Sequence, residues 1–300
     1  MKRLTFIIIV VLSFFTFSLN NASAAMVDYC QVPPYVIQDV PPNVMLVIDN
    51  SGSMFNFAYF DGFTTTATGD DNMCNVSSSP CTGFTDPGTY PTYKYYGYFD
   101  PDYWYTYSSN RFVPAGPKSG TRPANSWDGN FLNWVTMRRV DIIRKVMTGG
   151  KTTSGEGSGY NRLIGEIADD DSRGIYKRID NIGNYVDTSF SGTRCITFDT
   201  GNSGTSTFRI RSTSSCTSSS AGTYNVAVRV PIPVEGVLQN VIGTRARLGL
   251  TFYNTNEGGY VQVVVAGGSL SSAVNQINLT RPSANTPLGE TLWTISGYFA

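Results

Sequence analysis

The chain has 300 residues, and its 22 Lys and Arg balance 22 Asp and Glu, with no His at all. That balance excludes a nucleic-acid protein held by a basic surface, which needs clustered cations to release counterions. The lack of His excludes Ser-His-Asp triads, His-based acid–base chemistry and His-ligated metals, while 41% apolar and 13% aromatic residues suffice for a folded core.

The first predicted element is a targeting signal. Met1-Lys2-Arg3 is a short basic start, residues 4–19 are an apolar run, and Ala22-Ser23-Ala24 fits a small-residue cleavage site. Residues 1–24 are thus expected to be a secretory signal peptide, and its removal leaves 20 basic against 22 acidic residues. No second apolar span follows, so the mature chain is expected to work outside the cytoplasm with no membrane span. That compartment permits disulfides. Cys74 and Cys81 bracket a short loop, and Cys195 and Cys216 bracket a Gly/Ser/Thr-rich stretch, so these are the expected pairs. Cys30 is left over. With no His and no C-x-x-C pair, a zinc site is not expected.

A Pro-rich lead-in, 25–42, precedes a domain expected to run over 43–300. Residues 43–49 are a continuous apolar run ending in an acid, which reads as a central strand buried on both faces. Residues 55–125 show no sustained period and read as an irregular insertion with short strands. One long helix is predicted next. Ser126 is its cap, Asp128 lies in its first turn, Phe131, Trp134, Ile142 and Val146 line one face, and Gly149-Gly150 stop it. A second insertion, 151–232, alternates at Phe208/Ile210 and Val226/Val228/Val230, which predicts small antiparallel strands. Then come a short helical segment at 237–242, a strand at 246–253, a turn, a return strand at 260–265, and helices at 270–279 and 286–297. Strands alternating with helices predict an α/β sheet.

Asp49-Asn50-Ser51-Gly52-Ser53 follow the first strand. Ligands of open α/β sheets bind at the carboxyl ends of strands. One carboxylate and two hydroxyls at alternating positions form an all-oxygen set, which suits a hard divalent ion. Such a set leaves the ion electron-poor and ready to accept a carboxylate from a partner. Asp and Ser are also common turn residues, so a capped turn is the plainer reading. A phosphate loop is not expected, because no G-x-x-x-x-G-K-[ST] run occurs. An enzyme without His would need a carboxylate pair or a Ser-Lys site, and no spacing suggests one, so no catalysis is expected.

Asp49-x-Ser51-x-Ser53 resembles the metal-ion-dependent adhesion site of von Willebrand factor A domains. The resemblance implies a Thr from a later loop, and Thr286 in Ala284-Asn-Thr286-Pro-Leu-Gly289 takes that place. It also implies an Asp after a later strand, which by the family order would follow Ala300. The expected fold class is therefore α/β, a von Willebrand factor A-like doubly wound sheet, incomplete at the C-terminus, with two large β/irregular insertions. The expected metal ligands are Asp49, Ser51, Ser53 and Thr286, holding Mg²⁺ or Mn²⁺, with Ca²⁺ as a further candidate.

Tyr93-Lys-Tyr-Tyr-Gly-Tyr-Phe-Asp100-Pro, Arg111-Phe, and the stretch from Trp127 through Gly129-Asn-Phe-Leu-Asn-Trp134 to Gly150 narrow the match. They resemble the PilC/PilY family, pilus-tip adhesins and assembly factors of type IV pili. The resemblance implies a secreted, non-enzymatic protein, periplasmic in transit and then at the outer surface or pilus tip. Its implied partners are pilin or minor pilins, and a surface or host-matrix protein engaged through an acidic residue. A structural or assembly role with a non-functional metal site is the other reading. The Tyr/Trp cluster (Tyr90, Tyr93, Tyr95, Tyr96, Tyr98, Tyr103, Trp104, Tyr105, Tyr107) offers either an exposed contact surface or rings that pack the insertion in place, and packing is the expectation. Asp169-Asp170-Asp171 lacks the spacing of a calcium loop and reads as a solvated turn.

Overall fold

The computed structural model describes residues 41–59, 81–82, 94–186, 189–265 and 269–300. Among them are fourteen strands and four α-helices. The strands are β1 Asn43–Ile48, β2 Cys81–Thr82, β3 Tyr103–Ser108, β4 Arg111–Pro117, β5 Ser126–Asp128, β6 Thr152–Thr153, β7 Tyr160–Ile164, β8 Tyr176–Ile179, β9 Arg194–Phe198, β10 Thr207–Arg211, β11 Ser220–Asn225, β12 Ala227–Pro231, β13 Arg247–Tyr253 and β14 Gly259–Val263. The helices are α1 Gly129–Thr136, α2 Arg139–Thr148, α3 Leu270–Leu279 and α4 Leu288–Phe299. Pro41–Ala300 is one unit, and the other, Met1–Val40, lies outside the described residues. The predicted signal peptide, Cys30, Cys74, Tyr90 and Tyr93 therefore lie outside them too. None of the described helices is long and apolar enough to cross a membrane.

The architecture is mixed α/β with three sheets, ordered β1-β13-β14, β11-β10-β9-β8-β2 and β5-β3-β4-β12-β7-β6. β1 runs parallel to β13, from Asn43 beside Arg247 to Ile48 beside Phe252. β13 then turns back antiparallel into β14. Ile48, Leu248, Leu250, Phe252 and Val263 pack here against Ile277 of α3. The expectation of a central strand buried on both faces needs correcting. Among the described residues β1 pairs on one side, and only Ile48 of its six residues is fully buried.

Both predicted insertions contribute to one sheet. β3 and β4 come from the first, β7 and β12 from the second, and β12 joins them by pairing β4 in parallel and β7 antiparallel. The Phe208/Ile210 alternation appears as predicted in β10, with both side chains fully buried. The larger core is aromatic. Phe112 lies at its centre, with ring centroids 5.4 Å from Phe99, 4.9 Å from Tyr107 and 5.2 Å from Trp127, all edge-on. Edge-to-face pairs set the positive ring edge against the negative ring face. Tyr95, Tyr98 and Tyr105 are buried in this cluster, so packing is the main role of the Tyr/Trp segment, while Tyr96 stays 49% exposed. Cys195 of β9 is bonded to Cys216 as expected. The predicted Cys74–Cys81 pair falls outside the described residues.

The single long helix predicted from 126 is also corrected. Ser126 to Asp128 are strand β5, and Asp128, not Ser126, is the cap. Its Oδ1 accepts from Asn130 N at 2.7 Å and Phe131 N at 3.0 Å. The helix then stops at Met137, whose ψ of 131° is extended. Two backbone bonds explain the break, from Ala58 N to Met137 O at 3.0 Å and from Arg139 N to Asn56 O at 3.0 Å. Chain 56–58 thus pairs with the break, and α2 begins after it. Gly149 ends α2 in the left-handed region at φ 90°, as the glycine stop predicts.

α1 is buried along its whole length, including Asn130 and Asn133. Asn133 Oδ1 accepts from Phe99 N at 3.0 Å, and its Nδ2 donates to Tyr95 O at 2.8 Å and Phe99 O at 2.7 Å. Asn130 Oδ1 accepts from Tyr95 N at 2.7 Å. The two amides satisfy the backbone of the Tyr-rich segment where no strand partner does. Gly129 permits this approach, since a Cβ there would lie 2.1 Å from Asp100 O.

Candidate metal site

β1 delivers the chain to Asp49, after which Gly52–Phe55 forms one 3-10 turn anchored by fully buried Phe55. Asn50 locks this loop onto β13. Its Oδ1 accepts from Tyr253 N at 2.9 Å and its Nδ2 donates to Tyr253 O at 3.2 Å. The Asn50 carbonyl accepts from Ser283 N at 2.8 Å and Ala284 N at 3.1 Å, and Gly52 N donates to Ala284 O at 3.0 Å. Loop 49–53 is thereby zipped to loop 283–286, although they are far apart in sequence.

The result is a cleft of ≈ 210 Å³ lined by Ser51, Gly52, Ser53, Arg173, Ala284, Asn285 and Thr286. Three of the four predicted ligands, Ser51, Ser53 and Thr286, meet there. Asp49 stands next to them and does not line the cleft. Its Oδ1 accepts from Ser51 N at 2.7 Å. The Tyr253 phenol is pushed up first by burial and then by the Asp49 carboxylate.

The oxygen set fits a hard divalent ion in one measurable respect. Ser51 Oγ and Ser53 Oγ, hydrogen-bonded to each other, are 3.0 Å apart. Two ligands at adjacent corners of an octahedron with bonds of about 2.1 Å also lie ~3.0 Å apart. Among the described residues no three Asp, Glu or Cys side chains converge on one point, so hydroxyls dominate the donor set.

Arg173 is the residue that sequence reasoning missed. A Cβ on Gly52 would fall 2.6 Å from Arg173 Nη2, so the guanidinium lies directly over the loop glycine. Arg173 Nε donates to Asp169 Oδ1 at 3.1 Å. Buried Arg138 ties the Gly52–Phe55 turn to the 173–174 backbone, donating to Phe55 O at 2.6 Å, Arg173 O at 3.3 Å and Gly174 O at 3.2 Å. The Asp169–Asp171 segment is a turn, as predicted, leading into a short 3-10 stretch at Asp171–Arg173. Its position against the cleft had no signal in the sequence beyond the Arg itself.

Comparison with known proteins bears mainly on the aromatic body. Residues 87–227 match the family model described as PilY1 homolog, small alpha/beta domain. Over 72 residues the chain is 35% identical to the type IV pilus biogenesis factor PilY1 homolog of Xylella fastidiosa, covering 23% of this chain and 5% of that relative. No solved structure matches. The two matches support a relationship to the PilY1 family. Asp49, Ser51, Ser53 and Thr286 all lie outside residues 87–227, while Arg173 lies within them.

Proposed function

We propose that the chain is a secreted, metal-dependent adhesion module of a type IV pilus-associated protein, contributing to pilus assembly and surface attachment. The observation that carries this reading is the convergence of Ser51, Ser53 and Thr286 on one cleft at the carboxyl end of β1. A parallel strand pair with a ligand loop at its carboxyl end also supports a partial von Willebrand factor A-like sheet. The relationship to the PilY1 family supports the pilus setting.

In this proposal Ser51, Ser53 and Thr286 hold Mg²⁺ or Mn²⁺ through their hydroxyls, and Asp49 acts directly or through water. Bound there, the ion supplies a Lewis-acidic position that an acidic side chain of a surface or host-matrix protein can complete. Asp49 orients the loop through Ser51 N, and Asn50 fixes the loop to β13. The proposed function is binding, not catalysis. Export from the cytoplasm is read from the predicted signal peptide, and passage through the periplasm to the outer surface or pilus tip, with pilin or minor pilins as assembly partners, is read from the PilC/PilY resemblance.

The test is calorimetric titration of the mature chain with Mg²⁺ and Mn²⁺, with Asp49→Ala and Ser53→Ala as controls. Saturable binding in the native chain, lost in both variants, is the expected outcome. Equal binding by all three proteins would sink the metal reading. A second reading, an assembly role with a non-functional metal site, draws on the Arg173 cation at the cleft. Under it Asp49→Ala leaves both piliation and attachment unchanged.

A further inference from the structure

A second concave site lies away from the hydroxyl cleft. It is a groove of ≈ 780 Å³ between the Tyr-rich segment, the end of β12 and one side of α2. Its size falls within the range of roughly 300–1,000 Å³ over which pockets enclose small organic ligands. The wall is aromatic, with buried Tyr98, Phe99 and Tyr105 alongside half-exposed Tyr96.

The charged groups on this wall are mostly cations. Lys145 reaches it from α2, and its amine makes no hydrogen bond or ion pair among the described residues. Burial pushes that amine below the ordinary lysine range. Arg229 reaches it from β12, stacked 3.6 Å from the Tyr160 ring centroid, and its buried Nε has no hydrogen-bond partner. Lys94 lies at the rim, paired with Asp102 at 2.5 Å. Asp100 is the one acid on the wall, and its Oδ1 already accepts from Asp102 N at 2.9 Å.

An uncompensated ammonium on an apolar wall is costly unless a ligand supplies the missing acceptor. We propose that this groove binds a small organic carboxylate with an apolar or aromatic body. The body lies on the Tyr98/Phe99/Tyr105 wall, and the carboxylate accepts from Lys145 Nζ, with the Arg229 guanidinium as the second cation of the wall. The site is independent of the metal reading, because it shares no residue with the hydroxyl cleft.

The probe is 2-naphthoate, titrated into the mature chain by calorimetry beside its neutral isostere 2-naphthamide. Saturable one-site binding of the acid is expected, with the amide weaker by about tenfold, the worth of one charge-assisted bond. Lys145→Met and Arg229→Gln should each weaken the acid to a similar degree and leave the amide unchanged. Thermal unfolding of Lys145→Met serves as the folding control. Its Tm should equal or exceed that of the native chain, since an uncompensated, partly buried charge is removed. If that variant fails to fold, the acid–amide comparison and Arg229→Gln still decide. Equal binding of acid and amide, unchanged affinity in both variants, or no saturable binding would overturn the proposal.

Discussion

Arg173 brings a fixed positive charge to a cleft whose oxygen donors suit a cation. Its side chain is 27% exposed and its acid partner Asp169 31% exposed, so solvent screens the repulsion without removing it. Arg173→Ala should therefore tighten Mn²⁺ binding by about fivefold, a modest like-charge effect. Electron paramagnetic titration of Mn²⁺ reads this directly. Weaker or unchanged binding would show that the guanidinium does not face the ion. At this scale the sequence was partly legible. The hydroxyls at 51 and 53 could be read from an acid-and-hydroxyl loop after an apolar strand, and Thr286 was implied by the von Willebrand factor A resemblance. The Arg could not, because only the packing of the 169–174 turn through Arg138 brings it there.

Among the elements, α1 shows most clearly how short-range pattern and tertiary contact divide the work. Its periodic apolar residues and its glycine-terminated successor α2 are visible in the sequence. The break at Met137 is not, because the backbone of 56–58 creates it. Nor does periodicity reveal that Asn130 and Asn133 point inward, since amides on a helix normally read as a solvated face. Asn133→Leu would strand Phe99 N and the carbonyls of Tyr95 and Phe99 inside the aromatic core. Each unsatisfied buried group costs about 1–3 kcal/mol, so a loss of roughly 3–5 kcal/mol in urea unfolding is expected. A loss under about 1 kcal/mol would mean that the Tyr-rich segment holds its shape without the amide clamp.

For the molecule as a whole, the decisive joint is Glu166, just beyond β7. Its carboxylate takes Arg144 of α2 at 2.6 Å, Lys151 at 2.9 Å and Arg281, just beyond α3, at 2.9 Å. Arg144 also donates to Ile277 O at 3.2 Å and Thr280 O at 2.8 Å, which ties the aromatic body to α3. Burial works against the Glu166 charge, but Arg144 and Lys151 outweigh it and hold the carboxyl below its usual range. A lowered folded pKa gives stability that is present above the unfolded value of about 4.3 and lost as pH falls through the folded one. Asp141 runs the other way. Burial first, and the Glu166 charge after it, push it to about 6 against the pull of Arg144. Its cost is full above that pH and disappears toward an unfolded value of about 3.9. Glu166→Gln leaves Arg144 buried without its acid and should cost about 3 kcal/mol at neutral pH. Urea unfolding across pH checks both statements, since the difference from the native chain should shrink below about pH 4.3. A variant as stable as the native chain at pH 7 would show that the joint lies elsewhere. The β13–turn–β14 hairpin and α3 were legible from local pattern. The shared six-stranded sheet was not, because pairing between β4 and β12 depends on chain segments with no local signal for each other.

The zipper between loops 49–53 and 283–286 also fixes an order of events. Hairpins such as β3–β4 and β9–β10 join residues close together in the chain, and local contacts of this kind form early. The hydroxyl cleft instead waits for Ala284 and Thr286, made long after Ser51. Such local hairpins can therefore form while loop 49–53 remains open. Any property that depends on the closed cleft is postponed until residues 283–286 dock.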